Sequence, residues 1–104
     1  MNTTTRTDQA DRIVGTLRAH EAELRRAGVR HLSLFGSFAR GDAEAESDID
    51  LAAEFDPAAR MDLFRPTALE RRLGEILGRV DLLPEPVEKP RLQGNIDRDR
   101  RRAF

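Results

Sequence analysis

Residues 36–51 read Gly36-Ser37-Phe38-Ala39-Arg40-Gly41-Asp42-Ala43-Glu44-Ala45-Glu46-Ser47-Asp48-Ile49-Asp50-Leu51, a glycine-serine pair followed ten residues later by two aspartates around an isoleucine. Carried on to Phe55, the pattern alternates. Ile49, Leu51, Ala53 and Phe55 fall on one side, and Asp48, Asp50, Ala52 and Glu54 on the other, as in a strand with one core face and one acidic face. Asp56-Pro57 ends that strand. Upstream, Val29 to Phe35 with Leu32 and Leu34 two apart reads as a strand stopping at Gly36, and Ser37 to Arg40 is a short helical segment between two glycines. Downstream, Arg79-Val80-Asp81-Leu82-Leu83 is a third strand, which Pro84 and Pro86 stop.

Helical spacing surrounds these strands. Ile13, Val14, Leu17, Leu24 and Ala27 recur on one face of a helix that Thr7 or Asp8 caps and Gly28 ends. A second helix starts near Asp62, or at Pro66 as a first-turn proline, and runs through Leu69, Leu73, Ile76 and Leu77 to Gly78. Residues 1–7 are polar and without period, which predicts disorder. Beyond Val87 the chain is about half charged, with Arg98, Arg100, Arg101 and Arg102 clustered near its end. Residues 88–104 are therefore expected to be a weakly ordered tail or helix that orders against a partner. The folded unit is expected over residues 8–87 as α, β, short α, β, α, β: an α/β (α+β) domain with a small mixed three- to four-stranded sheet and its helices on one face.

Composition narrows the function. The 104 residues carry 18 cations, 19 anions and no Cys. A net charge of −1 argues against a whole-domain grip on nucleic acid, whose affinity comes from summed phosphate neutralisation. No apolar run approaches the roughly 18 residues of a transmembrane helix, and the N-terminus has no apolar signal region. Without Cys there is no disulfide framework or thiolate metal site. A cytoplasmic protein is the expectation. Of 40 apolar residues 13 are Ala, leaving 27 large side chains for the core. A core that thin has little room for polar groups inside strands, so Asp48, Asp50 and Asp81 call for a functional reason.

Aspartates at i and i+2 of a strand project from one face with Cα atoms about 6 to 7 Å apart, so Asp48 and Asp50 can converge on a hard cation. Asp81 adds a third carboxylate if its strand is a neighbour. Carboxylates gathered in this way repel, and a divalent metal resolves the repulsion; Mg²⁺ completes its shell with water and substrate phosphates. Gly36 lets backbone approach an anion, while the Ser37 hydroxyl and nearby amides can bind phosphate oxygens and Arg40 can add a charge-assisted contact. A phosphate cradle beside a metal clamp is equipment for phosphoryl or nucleotidyl transfer. Other motifs fail in detail. Gly36 to Gly41 has P-loop spacing, but Asp42 stands where Lys is required. Asp48-x-Asp50 opens like a calcium loop, but Ala52 replaces the third ligand. Ser37 as a nucleophile would need a base, and nothing pairs it with His20 or His31, which read as structural or solvated, as does Glu54.

At these residues the chain resembles the nucleotidyltransferase superfamily that includes DNA polymerase β. Gly36-Ser37, ten residues, then Asp48-Ile49-Asp50 is similar to its signature, and Ser47-Asp48-Ile49-Asp50-Leu51 to the form found in the minimal nucleotidyltransferases. The resemblance spans about Ile13 to Leu83 and implies a polymerase β palm-like fold. It implies that Asp48 and Asp50 bind Mg²⁺, with Asp81 as third catalytic carboxylate and metal ligand. Gly36, Ser37, Arg40 and Ser47 would bind the nucleotide. Many stand-alone members are antitoxins paired with a HEPN-domain ribonuclease toxin, and some transfer AMP from ATP to a toxin tyrosine. The resemblance thus implies an ATP-using, Mg²⁺-dependent antitoxin in a hetero-oligomer with a HEPN-type toxin, with no membrane or direct nucleic-acid partner. Two alternatives stand beside it: an antitoxin that neutralises by binding alone, and a nucleotidyltransferase acting on a small molecule. The second is disfavoured, because little chain is left for an acceptor-binding domain.

Overall fold

The computed structural model describes residues 4–57 and 65–104. Helices α1 (Thr4–Ala19) and α2 (Glu21–Arg26) lead into β1 (Val29–Phe35), and α3 (Gly36–Arg40) lies between β1 and β2 (Ile49–Phe55). Helix α4 (Arg65–Leu77) precedes β3 (Val80–Glu85), and α5 (Pro90–Asp99) precedes β4 (Arg101–Arg102). The expected helix start at Asp62 lies outside the described residues; α4 has Pro66 as its second residue. Among the described residues no helix is long and apolar enough to cross a membrane.

The helix expected from Asp8 to Gly28 is in fact two, and the first begins at Thr4, within the stretch expected to be disordered. The break sits at His20. Its ring Nδ1 donates to the Thr16 carbonyl at 2.9 Å, while its backbone N–H turns to the Leu17 carbonyl at 3.1 Å. The side chain has taken the acceptor that a continuing α-helix would offer the His20 amide.

The sheet has the order β3-β2-β1-β4. Strand β1 is antiparallel to β2 and to β4, whereas β2 and β3 are parallel, as the α4 crossover between them requires. Pro84 does not stop β3, which runs on to Glu85 and pairs Pro84 with Ala53. Because β3 is an edge strand, a residue without an N–H can sit in it.

One sheet face is covered by α1, α2 and α4. Leu17, Leu24 and Leu73 pack there against Leu32, Leu34 and Leu51, all six with at most 1 % of their surface exposed. Each such leucine contributes about 2 kcal/mol of burial. Here the helices lie on one face as expected, but α5 corrects the picture. Phe35, Ala52 and Ile96 form a second cluster with Leu83, Val87 and Leu92 on the other side of the alternation. Helix α5 therefore roofs part of the acidic face and buries Ala52.

Of the tail or helix expected beyond Val87, the chain forms the helix, and it orders against the sheet rather than against a partner. Strand β4 pairs with Ser33 and Leu34, the Ala103 N–H donates to the Leu32 carbonyl at 2.8 Å, and the Leu32 N–H donates to the Phe104 carbonyl at 3.2 Å. Arg100 crosses beneath the sheet, donating to Ser33 Oγ at 3.0 Å and to both Glu85 oxygens at 2.8 and 2.6 Å. Asp97 and Gln93 complete that network. Of the clustered arginines, Arg100 thus forms the polar underside of α5, while Arg98 and Arg102 are exposed.

Candidate active site

Phe35 is the register partner of Asp50, so the chain leaves β1 and turns into α3 beside the Asp50 carboxylate. Gly36 makes that turn at φ +76°, a left-handed conformation open to glycine. A Cβ on Gly36 would lie 2.2 Å from Asp50 Oδ2. Backbone and carboxylate are thus in direct contact, and no side chain fits between them. The five-residue α3 closes on Gly41 at φ +84°, with the Ser37 carbonyl accepting from the Gly41 and Asp42 amides at 2.9 and 3.0 Å.

Across the sheet, Asp50 pairs in register with Asp81 of β3. By strand alternation both stand on the face opposite the main core. Asp48 precedes β2 by one residue, and its Oδ1 is 3.3 Å from Arg79 Nε, both side chains being exposed. The Asp50 carboxyl is pushed above the ordinary aspartate range, first by burial and then by the charges of Asp81 and Asp48, with Arg40 pulling the other way. Burial and the two neighbouring carboxylates thus both work against the charged form of Asp50.

Not every expected ligand is drawn in. Among the described residues no group of three or more His, Asp or Glu side chains lies close enough together to hold a metal ion. Asp48 is engaged with Arg79 instead. The donor chemistry still fits a hard divalent cation, because the raised Asp50 and its register partner Asp81 are oxygen donors whose mutual charge such an ion would offset.

Two other expected site residues have partners of their own. Arg40 donates from Nε to Asp42 Oδ2 at 3.2 Å and from Nη1 to Asp99 Oδ2 at 2.8 Å. Ser47 and Glu44 close a turn ahead of β2: the Glu44 N–H donates to Ser47 Oγ at 2.8 Å, and the Ser47 N–H donates to the Glu44 carbonyl at 3.0 Å. Ser47 thereby sets the entry of Asp48. Glu54, at the far end of β2, is 4.0 Å from Arg30. Sequence reasoning missed Arg79, Asp99 and a cleft of about 670 Å³ that opens beside Asp48 between α4 and the start of β3, with Arg71, Gly74 and Arg79 among its lining. Its size is within the range of small-molecule sites.

Comparison with known proteins agrees with this arrangement. The family model described as polymerase beta, nucleotidyltransferase, matches residues 21–102, so it includes α5 and β4. The protein adenylyltransferase MntA of Thermococcus cleftensis is 41 % identical over 75 residues, covering 70 % of this chain and 74 % of that one. A solved structure provisionally described as a minimal nucleotidyltransferase superposes with a TM-score of 0.66 at 36 % identity, over 85 % of this chain and 93 % of the other. The fold also matches a toxin-antitoxin crystal structure with AMP-PNP, with a TM-score of 0.65 at 23 % identity over 84 % of this chain and 72 % of that one. With the glycine turn against Asp50, Asp81 in register beside it and a family match over most of its length, this chain belongs to the polymerase β nucleotidyltransferase family.

Proposed function

We propose that the chain is a Mg²⁺-dependent antitoxin that transfers AMP from ATP to a tyrosine hydroxyl of a partner HEPN-type ribonuclease toxin. The observation that carries the proposal is the contact of the Gly36 backbone with the Asp50 carboxylate, which brings the glycine turn and helix α3 against an acidic strand face. The relative named as a protein adenylyltransferase and the toxin-antitoxin fold neighbour with AMP-PNP support the direction. The chain contains no Tyr. The tyrosine acceptor of this reading is therefore not among these 104 residues.

Asp48 and Asp50, with Asp81, would hold Mg²⁺, whose chemistry is to neutralise charge on the phosphates. Ser37 and the amides of the turn receive the β- and γ-phosphates, and Arg40 adds a cation beside them. Asp81 orients the acceptor hydroxyl and takes its proton as the tyrosine oxygen bonds to the α-phosphorus. The bond from the α-phosphorus to the bridging oxygen breaks, and pyrophosphate leaves with the electron pair. Preorganised charge and positioning supply most of the rate in such transfers. The cleft beside Asp48 leaves room for the approach of the acceptor.

Label placement in ATP tests the reaction. With the partner present, label from the α-phosphate should appear on the toxin and label from the γ-phosphate should not. Transfer of the γ-label would make the chain a kinase, and transfer of neither would leave an antitoxin that acts by binding.

A further inference from the structure

Helix α3 is five residues long and carries Gly36, Ser37 and Arg40. A helix that short does not hold itself together. Part of its support comes from 59 positions away: Asp99, the last residue of α5, takes Arg40 Nη1 at 2.8 Å. The Asp99 side chain is only 6 % exposed, and its second oxygen lies 3.3 Å from Arg98 Nε. Burial works against the charged form of Asp99, but the hydrogen bonds from Arg40 and Arg98 outweigh it and hold the carboxyl below the usual aspartate range. Asp42 secures Arg40 Nε from the other side. Guanidinium offers five N–H donors in a rigid plane. Two of its three nitrogens are tied to carboxylates, and among the described residues Nη2 has no partner.

We infer that Asp99 is a positioning residue of the nucleotide site: through Arg40 it fixes a guanidinium whose Nη2 donors remain for the phosphate oxygens of a nucleoside triphosphate. This makes α5, which the sequence places in a charged tail or helix outside the folded unit, part of the machinery that builds the site. The inference rests on the reading of Arg40 as a phosphate contact given above. A cation held in place before the ligand arrives loses less conformational freedom on binding than one that swings free. The effect belongs in substrate affinity rather than in the chemical step.

The full chain with its partner, Mg²⁺ and ATP provides the test. Asp99→Asn and Asp99→Ala should each weaken ATP binding and raise KM for ATP about 10-fold, leaving kcat within about 3-fold. In an Arg40→Ala background the same changes at Asp99 should have no further effect on affinity, since interacting residues are non-additive in a double-mutant cycle. Asp11→Asn, which unpairs the Arg101 contact between α1 and β4, should leave ATP affinity unchanged and so controls for loosening of the C-terminal segment. Wild-type affinity in Asp99→Asn alongside weakened binding in Arg40→Ala would overturn the role of Asp99 and spare that of Arg40. Unchanged binding in Arg40→Ala would remove the phosphate contact, and the inference with it. Equal losses in Asp11→Asn and Asp99→Asn would also overturn it, because the effect would then be general undocking. Thermal melting of each variant identifies any that fails to fold, and the milder Asp99→Asn carries the test if Asp99→Ala is one of them.

Discussion

Two separate constraints keep residue 36 a glycine: a φ of +76° and a carboxylate oxygen 2.2 Å from where a Cβ would stand. A left-handed conformation alone costs a non-glycine residue about 1 to 2 kcal/mol. The second constraint acts on function, because a methyl group there must displace Asp50. Gly36→Ala is expected to lower AMP transfer about 100-fold, the scale of a 1 Å misplacement in a reacting constellation, while the protein still folds; initial rates and circular dichroism check both halves. Gly15, inside α1, is the contrasting case, since a Cβ there meets nothing within 4 Å. Gly15→Ala should raise stability by about 0.5 to 1 kcal/mol in denaturant unfolding. The closeness of Gly36 to the acidic strand was legible in its spacing from Asp48 and Asp50. The partners of Arg40 were only half so, because Asp42 is a near neighbour whereas Asp99 is brought in by the fold.

Elements were legible where their apolar residues kept one period. The alternation of β2 announced its two faces, and the helical spacing of Leu69 and Leu73 announced α4. A helix was one of two forms expected for α5, but its packing on the sheet hid because only Leu92 and Ile96 mark its buried side, four residues apart amid charges. Strand β4 is two arginines whose backbone, not side-chain pattern, makes the pairing. What fastens α5 is polar: the Glu85 carboxyl lies below the usual glutamate range, mainly through its hydrogen bonds from Arg100, assisted by Gln93 and opposed by burial. A native pKa below the unfolded value means that Glu85 stabilises the fold above about pH 4.5, its ordinary value, and that this contribution fades as pH falls through the lower native value. Glu85→Gln should therefore cost about 2 kcal/mol at pH 7, less than a fully buried pair because Arg100 is partly exposed. Urea unfolding should show the gap from wild type closing below pH 4.5, and a pH-independent gap would contradict the ion-pair account.

At the scale of the whole molecule, a thin core is divided between two sheet faces, and the smaller cluster beneath α5 holds Phe35 and Ala52, the residues beside Asp50 across and along the sheet. Ile96, fully buried in that smaller cluster, links the two. Ile96→Ala should lower stability by about 3 kcal/mol and, by loosening α5, also raise KM for ATP; Leu73→Ala, on the other face, should match the first effect without the second. Steady-state kinetics on both variants, at a temperature where each is folded, separate packing from site assembly. The central expectation is that AMP reaches the partner through the Asp48–Asp50 face. Its most direct measurement is the intact mass of the partner toxin co-expressed with this chain. The wild-type chain should yield toxin heavier by one or more AMP groups, and the Asp48→Ala, Asp50→Ala double variant should yield unmodified toxin. Unmodified toxin in both cases, or equal modification in both, would contradict it.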